Sequence, residues 1–417
     1  MKDLQENRKV YRIALLVAIS CVLQLSESLI PHPIPGLRLG LANMVTLIAF
    51  VTLGFGSALQ IAVFRTILSS VIMGTFMSPT FILSFSAAVT STLVMGLLYR
   101  FSRKHHQISI IGISIMGALC HNMVQLYLAY LLLVKHGGVF VFLPWLCIGG
   151  VVMGWVTGVV AARVCRRLEE AETEKGSGDT VQRIALAPVS HHFLPGASFL
   201  HRLPAELKII SIIILSVVAL VFENLWFYLG LFSFLALVVV SSGTSPGFLF
   251  SRVWRYGSVV LVAFLLPVFF NSGSHVLTNI GTFRLTYEGV STGALFSLRI
   301  TFLILVSALL VRTTSPEQMT RGIAWLLSPL RYLGVSQERT ARILCLSWMV
   351  IPSVWEEARS VIGGEKFKKA NKLRNIIPIL TGVIAHLYLE SEPESTLWKS
   401  VYRRGKTNVI DGDADMG

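Results

Sequence analysis

Charge is what this sequence lacks most. Asp, Glu, Lys and Arg make up 14% of its 417 residues, where a soluble globular chain carries about 25%. With 53% hydrophobic residues and a mean hydropathy of +0.68, most of the chain must face something other than water. Acidic residues are the scarcer sign: 22 Asp and Glu against 36 Lys and Arg leave a net charge of +14. Such a balance can suit nucleic acid, but no nucleic-acid fold motif accompanies it. The basic residues instead flank apolar runs, as in cytoplasmic loops of membrane proteins. Cysteine is also sparse. Cys21, Cys120, Cys147, Cys165 and Cys345 are odd in number and form no CxxC, which excludes a disulfide framework and a zinc site.

Chemical signatures are missing too. Gly405-Lys406-Thr407 looks like the end of a phosphate loop, but Ser400 stands where its first glycine belongs and no strand precedes it. Asp411, Asp413 and Asp415 alternate like a calcium loop without its closing Glu. No DDxxD pair is present to hold magnesium and a diphosphate, and no nucleophile–base–orienter set stands out. The reading is of a non-enzyme with no catalytic residues, no metal ligands and no cofactor.

Long apolar runs are what is there. A helix needs about 20 mostly apolar residues to cross a bilayer. Runs of that kind cover 11–30, 39–55, 57–75, 80–99, 108–134 and 139–162. The polar stretch Met1–Arg12 precedes the first without a small-residue cleavage site, so that run reads as a retained helix. Lys2, Arg8, Lys9 and Arg12, then Arg100, Arg103 and Lys104, then Arg163, Arg166 and Arg167 mark one side. The alternate loops carry at most one Lys or Arg each, which puts both ends of the six-helix set in the cytoplasm of a cell (inner) membrane protein. Residues 164–199 read as a cytoplasmic linker around the polar stretch Glu169–Asp179. Further spans fall near 207–222, 224–242, 256–271 and 290–311, with Arg252 and Arg255 inside and 272–289 outside. Residues 313–417 are amphipathic and basic, reading as a helical platform on the cytoplasmic face.

Polar groups within spans are the candidate ligand residues. Glu27, Asn43 and Arg65 lie in the first three spans, and His121, Asn122 and Gln125 lie in the fifth. A charge at mid-bilayer costs about 3 kcal/mol or more, so Arg65 should face a cavity or a partner. An interhelical hydrogen-bond network is the plainer alternative to a ligand pocket. Ala14 and Ala18 form an AxxxA on the first span, and Gly150, Gly154, Gly158 and Ala162 form a ladder on the sixth; both patterns allow close helix approach. Ser315-Pro316-Glu317-Gln318 is a helix start with a capping box.

Two resemblances rest on short stretches. Residues 200–405 resemble the transmembrane T component of energy-coupling factor (ECF) transporters. The residues that carry this are Leu200-His201-Arg202-Leu203 with Lys208, Leu298-Arg299, Thr313-Thr314-Ser315-Pro316-Glu317, Leu327-Ser328-Pro329-Leu330-Arg331, Ile351-Pro352 with Glu356-Glu357-Ala358, and Leu373–Pro378. Residues 10–163 resemble the Gx transporter family, often labelled heptaprenyl diphosphate synthase component I, through Glu27–Pro31, Leu39–Asn43 and Gly117–Asn122. Six helices and an AxxxA are also similar to the substrate-binding S components of ECF transporters, where that motif faces the T component. The resemblance implies that Ala14 and Ala18 dock the two halves, and that two ATP-binding cassette ATPase subunits sit on separate chains. It further implies coupling residues at the helix tips: Arg404 at the second, and at the first Lys368 by spacing or Arg359 by residue pattern. The sequence departs from the family in that first motif and in a final transmembrane helix with no counterpart.

The expectation is therefore an all-α, polytopic membrane protein: an S-like six-helix bundle over 1–163, a linker over 164–199, and a T-like domain over 200–417 with about four spans and cytoplasmic coupling helices. It would move a small vitamin-like or cofactor-like molecule across the lipid bilayer, with no nucleic-acid partner. Two alternatives stay open: a non-catalytic membrane partner of a prenyl diphosphate synthase, or a scaffold for a membrane redox system.

Overall fold

The computed structural model describes residues 2–29, 40–105, 108–134, 137–174, 199–270, 273–280, 283–328, 336–363 and part of 381–388. The first half is six helices: α1 (Lys2–Leu29), α2 (Leu41–Leu53), α3 (Phe55–Met73), α4 (Pro79–His105), α5 (Ile110–Ala129) and α6 (Leu143–Glu174). A π-helical turn, Tyr130–Val134, prolongs α5, and a 3-10 turn, Gly137–Phe142, leads into α6. The second half opens with the single turn α7 (Phe199–Arg202), followed by α8 (Ala205–Val221), α9 (Leu225–Ser242), α10 (Pro246–Arg255) and α11 (Gly257–Phe270). A short antiparallel hairpin, β1 (Val276–Ile280) and β2 (Phe283–Thr286), precedes α12 (Tyr287–Thr313), α13 (Pro316–Leu326) and α14 (Gln337–Gly363).

Among the described residues, seven helices are long and apolar enough to cross a membrane, and an eighth span results if α10 and α11, bent by 59°, count as one. The expected ten are reached only by including α2 and α8, whose 13 and 17 residues fall short of the usual 20. Protein shields α2: every residue from Met44 to Phe50 is buried, so it contributes to the core rather than to a lipid face. The chain is a multi-pass, all-α membrane protein, with the hairpin as a small departure.

Local sequence explains the breaks. Gly54 separates α2 from α3 at φ 83°, and Gly74 ends α3 at φ 69° in the left-handed region that glycine tolerates best. At Gly74 the Thr75 amide reaches back to the Ser70 carbonyl at 2.7 Å, closing a Schellman-type cap. The capping box expected at Ser315 is present, with Gln318 N donating to Ser315 Oγ at 3.2 Å and Ser315 N to Gln318 Oε1 at 3.3 Å.

The linker expected from residue 164 starts later. Residues 164–174 continue α6, because Val164, Cys165 and Leu168 are buried in the apolar core and hold those turns against it. Residues 175–198 lie outside the described residues.

One apolar core runs through both halves. α1 is its axis: Ile13 through Ile19 are buried without interruption, and the helix packs on α2, on α3 and, across the halves, along α14. At one end of that contact Arg339 of α14 pairs with Glu6 of α1 at 3.6 Å. Ala14 and Ala18 are both fully buried on this helix. Large apolar residues such as Leu97, Trp226, Val240 and Trp254 point outward, which suits a hydrocarbon surrounding rather than water.

Candidate functional site

α5 and α6 make the closest helix pair in the first half, and glycine is the reason. A Cβ at Gly154 would stand 2.7 Å from the Ile115 Cα, and one at Gly158 would stand 2.9 Å from the Ile111 Cα. Backbone therefore touches backbone along this seam, as small residues permit in lipid. The ladder on α6 works within the bundle. It also brings the polar side chains of both helices into register: Ser114 Oγ and Thr157 Oγ1 are 3.0 Å apart, and Asn122 Nδ2 donates to the Leu146 carbonyl at 2.9 Å.

Across from this seam, α3 carries Arg65 into the bundle interior at 4% exposure. Its guanidinium donates to Asn43 Oδ1 of α2 at 2.5 Å and to Gln24 Oε1 of α1 at 3.5 Å. Glu27, one turn beyond Gln24, accepts from the Gly40 amide at 3.0 Å, which ties the end of α1 to the start of α2. Two partners of the Arg65 charge are thus neutral amides, and a carboxylate lies one helical turn away along α1.

These groups surround one cavity of about 40 Å³. Glu27, Asn43, Arg65, His121 and Asn122 all line it. Gln125 does not: it sits one helical turn, about 6 Å, past His121, and that offset carries it beyond the cavity end. Sequence reasoning missed Gln24, Thr66, Ser84, Ser114 and Thr157, which complete the polar wall. Two of these had a readable signal, since Gln24 lies three residues before Glu27 and Thr157 directly precedes Gly158 of the ladder. Met95, Met153, Ala42, Ala88 and Ala118 supply the apolar part of the lining, and among the described residues no Phe, Tyr or Trp takes part. A water needs about 10–15 Å³ of such space, so the cavity as it stands has room for a few waters.

The expected coupling residues are less visible. Arg359 falls on α14 near its end, whereas Lys368 and Arg404 lie outside the described residues. Among the described residues, no group of three or more His, Cys, Asp and Glu could hold a metal ion.

The second half has its own buried cations. Lys208 of α8 donates to the Thr313 carbonyl at 2.8 Å and to the His201 carbonyl at 3.4 Å, pinning the end of α12 where the chain turns into α13. Arg299, at 0% exposure in α12, donates through Nε to the Ala219 carbonyl and Tyr228 Oη, both at 3.0 Å. Its other nitrogens reach the Phe222 carbonyl at 3.2 Å and, across the halves, the Leu132 carbonyl at 3.4 Å.

A multi-helix membrane protein with a polar cavity among the helices of its first half is compatible with a transporter component. Comparison with known proteins agrees. Residues 16–164 match the family described as heptaprenyl diphosphate synthase component I, and residues 196–376 match the family described as cobalt transport protein. The second half is similar to energy-coupling factor transporter transmembrane proteins. That of Listeria innocua is 26% identical over 51% of this chain and 84% of the relative, and that of Brevibacillus brevis is 28% identical over 51% and 82%. A third, from Thermosediminibacter oceani, is 28% identical over 52% and 84%. The chain is a membrane component of an ECF-type transporter rather than an enzyme: an ECF T component over its C-terminal half, joined to a first half of the heptaprenyl diphosphate synthase component I type.

Proposed function

We propose that residues 1–163 form the substrate-binding module of this transporter and residues 200–417 its coupling module, both in one cell-membrane chain with cytoplasmic termini. The observation that carries this reading is the convergence of five in-span polar residues from α1, α2, α3 and α5 on one buried cavity. Polar and charged groups such as Arg65, Glu27 and His121 are costly in a bundle interior, and a polar ligand in the cavity adds to the partners that the protein already gives them. The ligand is a small, polar, vitamin-like or cofactor-like molecule. Its transport is driven by two ATP-binding cassette ATPase subunits on separate chains, engaged through Arg404 and Lys368, with Arg359 as the alternative at the first site.

The contact between the halves supports a tipped arrangement. Positive charge places the α3–α4 turn outside and both α10 and the end of α12 inside. Yet Arg252 of α10 bonds to Met73, and Ser307 of α12 to Gly74, at that turn. Two upright bundles could not bring these ends together, so the first half lies over on the second, with α1 along α14.

The description of the family matched by the first half favours a second reading, a membrane partner of a prenyl diphosphate synthase. Native mass spectrometry of the tagged chain purified from its own membranes separates the two. Co-purifying ATP-binding subunits and a retained small molecule are expected; a soluble synthase in place of the ATPases would overturn the transport reading.

A further inference from the structure

The α3–α4 turn enters a polar socket in the second half. Gly74 there adopts φ 69°, and a Cβ on it would lie 3.3 Å from Cζ and Nη1 of Arg252. Arg252 is 2% exposed and donates to the Met73 carbonyl at 2.8 Å. Ser307 Oγ donates to the next carbonyl, Gly74 O, at 3.1 Å. The guanidinium rests on the Phe248 ring at 5.1 Å, and Arg312 stacks on the same ring at 4.5 Å. The end of a helix carries unsatisfied carbonyls and partial negative charge, so it is a natural acceptor for a buried cation. Here cation and acceptor come from different halves of the chain.

We propose that Arg252 and Ser307 form a docking socket that recognises the carbonyl end of α3, and that this contact holds the first half against the second. Its chemistry differs from the α1–α14 contact. That contact is long and mainly apolar, whereas the socket is one directional charge-assisted bond beside one neutral bond. Glycine at position 74 leaves the guanidinium room against the backbone, and a side chain there would crowd it by a few tenths of an ångström as well as straining the turn. The placement also bears on the cavity. Met73 lies eight residues beyond Arg65 on the same helix, about 12 Å along its axis. A movement of α3 at the socket is therefore carried as a rigid shift to the guanidinium of the cavity. That consequence rests on the ligand reading of the cavity, while the docking role does not.

Hydrogen exchange of the full chain in lipid nanodiscs tests the socket. Arg252→Ala should raise exchange of the peptide covering 72–80 about tenfold or more while peptides of α5 and α6 exchange as in the wild type. Arg252→Lys keeps the charge but not the planar fork, and should raise exchange at 72–80 by less. Should Arg252→Ala fail to fold, Arg252→Lys and Ser307→Ala decide: a several-fold rise confined to 72–80 upholds the socket. Wild-type exchange at 72–80 in every variant that folds would overturn it, as would an equal rise across α5 and α6. Ligand retention by the same variants reports on the cavity separately.

Discussion

Replacing Gly154 with alanine adds one methyl group, and its consequence can be worked out from the α5–α6 seam. The new Cβ would lie 2.7 Å from the Ile115 Cα and 3.1 Å from the Ala118 Cβ. Carbon atoms settle at about 3.5–4.0 Å, so α6 must withdraw by close to about 1 Å. Backbone is the obstacle, and no rotamer change relieves it. Overpacking of this kind costs about 1–3 kcal/mol. The shift would also stretch the 2.9 Å Asn122–Leu146 bond and the 3.0 Å Ser114–Thr157 bond, both at the cavity wall. Gly158→Ala meets Ile111 at 2.9 Å and should behave alike. Gly150→Ala meets the Asn122 and Leu119 side chains first, at 3.1 and 3.3 Å, and these can yield, so it should be milder. Gly56→Ala has nothing within 4 Å and serves as the control. Thermal unfolding in nanodiscs, followed by tryptophan fluorescence, should rank Gly154→Ala and Gly158→Ala as less stable than Gly150→Ala, and all three below Gly56→Ala. A Gly154→Ala protein melting with the control would refute the backbone-contact account of the seam.

Three other predictions follow from separate parts of the molecule. Arg299→Met should lower stability by about 3 kcal/mol in the same melt, because the Phe222 and Leu132 carbonyls and the Tyr228 hydroxyl oxygen lose their donor, while the Ala219 carbonyl keeps the Tyr228 hydroxyl; a melt within a degree of wild type would contradict it. Cysteine at Ser274 should label from outside intact cells and cysteine at the exposed Arg166 should not, the reverse pattern placing the termini outside. With the ATPases bound, alanine at Arg404 should sharply reduce ATPase activity without reducing expression. Alanine at Lys368 should reduce it more than alanine at Arg359, since nine residues shift a helix tip by about 13 Å; wild-type rates in all three would leave the platform as a membrane-surface anchor.

Much of this architecture was legible in the residues because membrane helices are governed by two coarse rules, apolar length and flanking positive charge. Each of the ten spans falls on a helix, although α1 begins nine residues before its expected start and α6 runs twelve past its expected end, and the capping box at Ser315 was readable from four letters. What was not legible depends on contacts between distant elements. Nothing local distinguishes Arg252 from the neighbouring Arg255 as more than a loop marker, yet burial against Gly74 of α3 makes it an interface residue. Helical spacing placed Gln125 beside His121, but only His121 and Asn122 of the three line the cavity, whose other walls come from distant helices. The helix past Arg163 was hidden for a similar reason: its polar composition resembles a linker, and only the burial of Val164, Cys165 and Leu168 reveals that it continues.

The central claim is that the cavity around Arg65 binds what this transporter carries. Its most direct test is the mass of small molecules released from the purified full chain, measured for wild type and for Arg65→Ala and Asn122→Ala. A compound retained by the wild type, and reduced at least about tenfold in both variants while the same partner subunits co-purify, is the predicted result. Equal retention in all three would show that these residues form only an interhelical hydrogen-bond network and that the cargo binds elsewhere.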